Sequence, residues 1–346
     1  MDAALPRQRV ARWLSILVCC GASACAMQPA TDADLSGGEP YDAEQVAPSA
    51  SALKSSLSKP TDYPAAVWLE RMVNLQGAPG MGCSGAMIAP YAIATAAHCV
   101  SDVVPAAGGW MRIWAEVMRD GARRCISAVN VNGFTENCQP GVNDHAATVW
   151  VRYPPNYTGD GDTHDDIAIL VLPQNTAYFK QLNPASECSW ALREGAGKPS
   201  CYYRFYRDTF DDTIEMDLYG FGKPTNQIGI LNRGWTRIDW YGSQHFLRET
   251  IQEDLQRLCL GDSGGPAAVD KIANLGTSYE LLLGVASNGS NLGGDDCAMA
   301  GGKERWNRSG AKIWLAEEAI RVARNVPNFV CIPFNTSTGH EYVRCF

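Results

Sequence analysis

Gly261-Asp262-Ser263-Gly264-Gly265-Pro266 sets one serine among glycines, the composition of a tight turn. A serine hydroxyl is a poor nucleophile at neutral pH and needs a base to take its proton. The base in turn needs a buried acceptor that fixes its tautomer and stabilises the imidazolium it becomes. Two earlier stretches supply both groups. Thr95-Ala96-Ala97-His98-Cys99 carries a histidine, and Asp166-Ile167-Ala168-Ile169-Leu170 carries a carboxylate at the head of an apolar run. The glycines beside Ser263 let the backbone N–H groups of Gly261 and Ser263 converge on one spot, where an oxyanion would develop.

These segments resemble the chymotrypsin/trypsin superfamily of serine proteases, in the chain order His, Asp, Ser. The likeness runs from about residue 64 to about residue 320. It implies His98 as general base, Asp166 as its orienting carboxylate and Ser263 as nucleophile, with Gly261 and Ser263 forming the oxyanion hole. It also implies two disulfides: Cys83–Cys99, closing the loop behind His98, and Cys259–Cys297, bracing the loop of Ser263. Peptides or proteins would be the substrates, and no cofactor or metal is implied.

The choice between Asp165 and Asp166 follows from the chain. Asp166 directly precedes the apolar run and is aimed inward, and its neighbour in an extended chain then points the other way. Asp160, Asp162 and Asp165 have the composition of a calcium loop, but lack the glycine and terminal glutamate of an EF-hand and read as a solvated turn. His145, His164, His245 and His340 stand in no such context and read as surface or structural histidines.

The 346 residues are 46% hydrophobic and 19% charged, with 33 Gly and 19 Pro, which favours a turn-rich β protein. A net charge of −8, with both signs scattered, gives no footprint for nucleic acid. Thirteen cysteines suit an oxidising compartment, and the absence of any Cys-x-x-Cys pair argues against a zinc site. Cys125 with Cys138, Cys188 with Cys201 and Cys331 with Cys345 are sequence neighbours whose pairing is plausible.

Residues 1–26 have the form of an export signal: Arg7, Arg9 and Arg12, then Trp13-Leu14-Ser15-Ile16-Leu17-Val18-Cys19-Cys20, then small residues. The apolar run is too short to span a membrane. Cleavage could follow Ala22-Ser23-Ala24 or Ala24-Cys25-Ala26. Alternatively, Ala22-Ser23-Ala24-Cys25 loosely resembles a lipobox, and a lipidated Cys25 would tether the chain to a membrane. The expected destination is outside the cytoplasm: secreted, periplasmic or on the outer surface. Residues 27–60 have almost no large apolar side chain and read as a linker or propeptide.

Residues 61–325 form the expected catalytic body. Short apolar runs at 87–89, 91–95, 110–114, 147–151, 167–172 and 281–286 alternate with turn signals, the pattern of strands in a barrel or sandwich. The 313–324 segment is the one convincing helix. The expectation is an all-β fold of two antiparallel six-stranded β-barrels, split near residue 180, with a C-terminal helix. His98 and Asp166 fall in the first barrel and Ser263 in the second. Residues 326–346 extend past that helix and could form a Cys331–Cys345 clip. The chain reads as a monomer.

Two features depart from the family. Mature trypsin-like chains usually begin with an Ile-Val-Gly-Gly type stretch whose amino group pairs with the Asp beside the nucleophile, here Asp262. Upstream of Pro64 stands Ala52-Leu53-Lys54-Ser55-Ser56-Leu57-Ser58-Lys59, without that motif. Either an atypical terminus serves, or Asp262 is held some other way. Thr61-Asp62-Tyr63-Pro64 followed by Cys83-Ser84-Gly85 looks more like bacterial glutamyl-endopeptidase-type members. Second, the position at the floor of the specificity pocket, Asp in trypsins, falls on Arg257, which would repel Lys and Arg. Ser287-Asn288-Gly289 would be the strand edge that pairs with substrate backbone.

Two other functions compete. The same glycines satisfy the G-x-S-x-G elbow of α/β-hydrolases, which would make the protein an esterase with a strand running into Ser263 and a helix after it. A catalytically silent protease-like binding module is the other; the retention of all three triad residues argues against it.

Overall fold

The structure is a computed structural model. It describes residues 63–72, 79–89, 91–119, 122–126, 134–135, 147–159, 165–173, 204–206, 215–222, 231–237, 240–241, 245–249, 258–269, 281–289, 303–335 and 341–345. The first sheet contains β1 (Tyr63–Met72), β2 (Pro79–Ala89), β3 (Ala92–Thr95), β4 (Gly109–Arg119), β5 (Ala122–Ile126), β6 (Phe134–Thr135), β7 (Ala147–Arg152) and β8 (Ala168–Val171). Its order is β1-β2-β3-β8-β7-β4-β5-β6, and a β1–β4 pairing closes β1, β2, β3, β8, β7 and β4 into a barrel. β5 and β6 continue beyond β4 as an extension.

Among the barrel strands β3 and β8 are buried along their whole length, whereas β7 keeps Thr148 exposed and Trp150 and Arg152 half-buried. Side chains on one face of the strands, Val67, Leu69, Ile93, Ile113, Val149 and Leu170, fill one buried cluster. Their neighbours on the opposite face, Ala66, Trp68, Ala94, Trp114, Ile169 and Val171, pack with Tyr219, Phe221, Leu282, Val285 and Leu315. A strand covered on both sides has no polar face, so the alternation normally expected of a half-buried strand disappears.

The second sheet holds β9 (Arg204–Tyr206), β10 (Glu215–Gly220), β11 (Asn232–Arg237), β12 (Trp240–Tyr241), β13 (His245–Glu249), β14 (Pro266–Val269), β15 (Leu281–Gly289), β16 (Lys303–Arg308), β17 (Cys331–Asn335) and β18 (Glu341–Cys345). Its main path is β11-β10-β14-β15-β16-β13-β12. The expected second set of strands is thus enlarged to ten, because the C-terminal hairpin β17–β18 joins through β9. Cys331 is disulfide-bonded and stands opposite Cys345 in that hairpin.

The helix α1 (Ile313–Arg324) occupies the span the sequence indicates. It buries Leu315, Ala316, Ala319 and Ile320 on one face, leaving Ile313 and Val322 at the edges of that face. Asn325 ends it in the left-handed conformation, with φ 52°, as a C-terminal cap does. Among the described residues no helix is long and apolar enough to cross a membrane. The sheets, antiparallel apart from the β9–β15 pair, also overturn the α/β-hydrolase alternative. Ser263 is followed by the strand β14 rather than a helix, and its turn packs against antiparallel partners.

Candidate active site

β3 ends at Thr95 and runs into a single short turn, Ala97–Cys99, that presents His98. Cys99 is bonded to Cys83 on β2, which ties the far end of this turn back to the barrel. Asp166 lies two residues before β8, the strand paired with β3, so the two segments meet by sheet register. Its carboxylate is fully buried and accepts the backbone N–H of His98 at 2.8 Å. The second carboxylate oxygen lies 2.8 Å from His98 Nδ1. An ionised carboxylate can only accept, so Nδ1 carries the ring proton and Nε2 keeps its lone pair.

Three further groups fix Asp166. Ser287 Oγ donates to the same oxygen at 2.5 Å. Asn307 Nδ2 donates to the Asp166 backbone carbonyl at 3.1 Å. Asp165 turns the other way and pairs with Lys312, as alternation along an extended chain requires. Sequence reasoning placed Ser287 on the strand edge along the substrate. Ser287 does line the cavity, and its side chain donates to Asp166.

Ser263 sits in a turn whose two ends are glycines of positive φ, Gly261 at 101° and Gly264 at 81°. A Cβ on Gly264 would lie 2.1 Å from Thr95 Oγ1 and 2.3 Å from the Ser84 carbonyl. Only glycine lets this turn press so closely on β2 and β3. The N–H groups of Asp262, Gly264 and Gly265 donate to Cys259, Ala286 and Asp262 carbonyls at 2.9, 2.6 and 2.8 Å. Among the described residues, those of Gly261 and Ser263 have no such acceptor.

His98, Ser263 and Gly261 line one cavity of about 270 Å³, with Leu258, Cys259 and Leu260 on one wall and Ala286 to Gly289 on the other. Beyond Val285 the strand β15 outruns its pairing with β14, and Asn288 and Gly289 continue against β16. Behind the Leu258 wall, sequence reasoning missed a buried carboxylate: Glu304 on β16 accepts the Leu258 N–H at 2.5 Å. No local motif marks it. Arg257 and Cys297 lie outside the described residues, whereas Cys259 is disulfide-bonded.

Cys83, His98 and Cys99 bring sulfur and nitrogen atoms within 4.8 Å of one another, the spacing of a metal site. Both sulfurs belong to one disulfide, so no thiolate is offered and a single imidazole remains.

The solved structure of HL collagenase is similar to this chain at 18% identity, covering 75% of this chain and 95% of that one, with a TM-score of 0.45. No curated protein matches the sequence. The family model named Trypsin matches residues 61–300, and the chain belongs to the trypsin family of serine proteases.

Proposed function

We propose that the protein is an exported serine endopeptidase, secreted or tethered through Cys25, that cleaves peptide bonds through an acyl-enzyme. The observation that carries this is the buried Asp166–His98 pair opening onto the same cavity as Ser263. His98 Nε2 takes the Ser263 proton as Oγ attacks the scissile carbonyl. The carbonyl π electrons move onto its oxygen, which the uncommitted N–H groups of Gly261 and Ser263 receive. Collapse breaks the C–N bond, and the imidazolium returns its proton to the leaving amine. Asp166 holds the ring throughout and stabilises its charge. Water then repeats the sequence to release the acid.

The Asn288 and Gly289 backbone offers an edge along which an extended substrate would lie. The resemblance would put Arg257, which lies outside the described residues, at the floor of the specificity pocket, and a cationic side chain before the scissile bond is then disfavoured. An acidic or small uncharged one is accepted.

A fluorophosphonate probe tests the proposal. The wild-type protein labels at Ser263, and Ser263→Ala abolishes both labelling and peptide hydrolysis while the folded circular-dichroism spectrum remains. A protein that binds peptides but never labels would instead be a silent binding module.

A further inference from the structure

Asp166 is carried on a turn whose braces come from the other sheet. The Asp165 carbonyl accepts the Ile167 N–H at 2.8 Å, which makes Asp166 the central residue of a three-residue turn just before β8. A shift of this turn by about 1 Å would take both 2.8 Å contacts with His98 past hydrogen-bonding distance. Ser287 holds the carboxylate itself. The backbone beneath it is held by two other side chains, Asn307 and Lys312.

Asn307, on β16, is fully buried, and its Nδ2 donates to the Asp166 carbonyl at 3.1 Å. Its Oδ1 is buried and has no hydrogen-bond partner among the described residues. A half-satisfied amide in the interior costs stability, so the stability of the fold is a poor account of this asparagine. Lys312 is buried at the end of the turn Gly310–Lys312 that leads into α1, and its ammonium pairs with the Asp165 carboxylate. Both braces stand on β15. Asn307 lies opposite Val285, and Ser309 donates its N–H to the Leu283 carbonyl at 3.0 Å and its Oγ to the Leu282 carbonyl at 2.5 Å. The Lys312 N–H in turn donates to the Ser309 carbonyl at 3.0 Å.

We propose that Asn307 and Lys312 are positioning residues: from the second sheet they fix the backbone of the Asp166 turn, and through it the aim of the carboxylate at His98. The inference rests on the serine-protease reading above. Asn307 restrains the peptide unit that follows Asp166, and Lys312 restrains the residue before it. Twisting the turn, or sliding it along β8, therefore breaks one of the two contacts. The same helix supplies a control. Arg324, at the other end of α1, donates to the Pro173 carbonyl at 2.9 Å, beyond the far end of β8. Lys312 and Arg324 both tie α1 to the first barrel, but Lys312 alone of the two reaches the turn of Asp166.

The test compares the full protein and its variants by peptide hydrolysis, denaturant unfolding and proton NMR. In the NMR spectrum the His98 Nδ1–H, held in a charge-assisted hydrogen bond, resonates far downfield of the amides. Asn307→Ala and Lys312→Met should each lower kcat by about 10-fold with KM within about twofold, because misplacing a reacting group costs turnover more than binding. In both, the Nδ1–H resonance should shift or broaden through exchange with water. Lys312→Arg keeps the cation and should recover most of the loss. Arg324→Met should lower the unfolding midpoint while kcat and the resonance stay as in the wild type. If either folded Asn307→Ala or folded Lys312→Met keeps wild-type kcat, the proposal is overturned and the protease reading stands. It is also overturned if Arg324→Met loses as much kcat as Lys312→Met, since general destabilisation then explains both. If the wild-type protein neither labels with fluorophosphonate nor hydrolyses peptides, the protease reading fails. The resonance then decides the bracing by itself, and one unchanged in Asn307→Ala overturns it. An Asn307→Ala that does not fold leaves the Lys312 pair to decide.

Discussion

Burial pushes the Asp262 carboxyl up from its ordinary 3.8 to about 7, against the opposing pull of the Cys259 and Gly222 amides. A carboxyl whose folded value exceeds its unfolded one binds more protons when folded. Its contribution to stability is therefore complete below about pH 4 and is lost as pH rises through about 7. The expected outcome is a wild-type stability that declines over this window because of this group, and a flatter profile for Asp262→Asn. Urea unfolding at several pH values measures both slopes, and an unchanged slope in the variant would contradict the assignment. The relay carries a second prediction. Asp166→Asn replaces one accepting oxygen with a donor N–H₂ and removes the charge that stabilises the imidazolium, and should reduce turnover by about 10⁴-fold with the fold intact. Steady-state hydrolysis by the purified variant checks it.

At the scale of elements, α1 is attached through small residues and two aliphatic anchors. Ala316 and Ala319 allow close approach, while Leu315 and Ile320 are fully buried. Ile320→Ala should cost about 2–5 kcal/mol in denaturant unfolding, since the cavity it leaves cannot wholly collapse. Arg324, in the last turn of the helix, lies over the Tyr91 ring at 4.1 Å and donates to the Pro173 carbonyl at 2.9 Å, so the helix end is tied to the start of β3. The Cys83–Cys99 bridge joins β2 to the histidine turn. Replacing both cysteines with alanine should lower stability by about 2–4 kcal/mol. It should also loosen the turn that aims His98, which a drop in kcat larger than any change in KM would reveal.

The site exists only where the two sheets meet. His98 and Asp166 come from the first barrel, Ser263 and Ser287 from the second sheet, and Ser84 reaches from one to the other. Whole-molecule behaviour follows from the cavity between them. Chromogenic peptides ending in Arg, Glu, Ala and Phe should show the Arg peptide to be the poorest. Fast turnover of that peptide alone would mean that a carboxylate such as Glu304 governs the pocket instead. Export, as proposed, would supply oxidising surroundings in which the Cys83–Cys99 bridge forms. Mass spectrometry of non-reduced protein from its native compartment should find Cys83 linked to Cys99 and Cys259 to Cys297.

The motif around Ser263, the TAAHC turn and the Asp-Ile-Ala-Ile strand were legible because each is local: glycines where φ is positive, an apolar run where a strand is buried. The helix over 313–324 was legible for the same reason, its period lying within one segment. Ser84, Ser287, Asn307 and Glu304 were not. Each is an ordinary polar residue within a strand, and its partner is 177, 121, 141 or 46 residues away. Nothing in a strand's own sequence states which strand will lie across from it. A buried hydroxyl or carboxylate must find a partner, but sheet pairing and barrel closure choose that partner, because they decide which edges come within 3 Å. The chain's own residues thus marked the candidate nucleophile, the candidate base and the family, while the tertiary fold alone decided which side chains hold them in place.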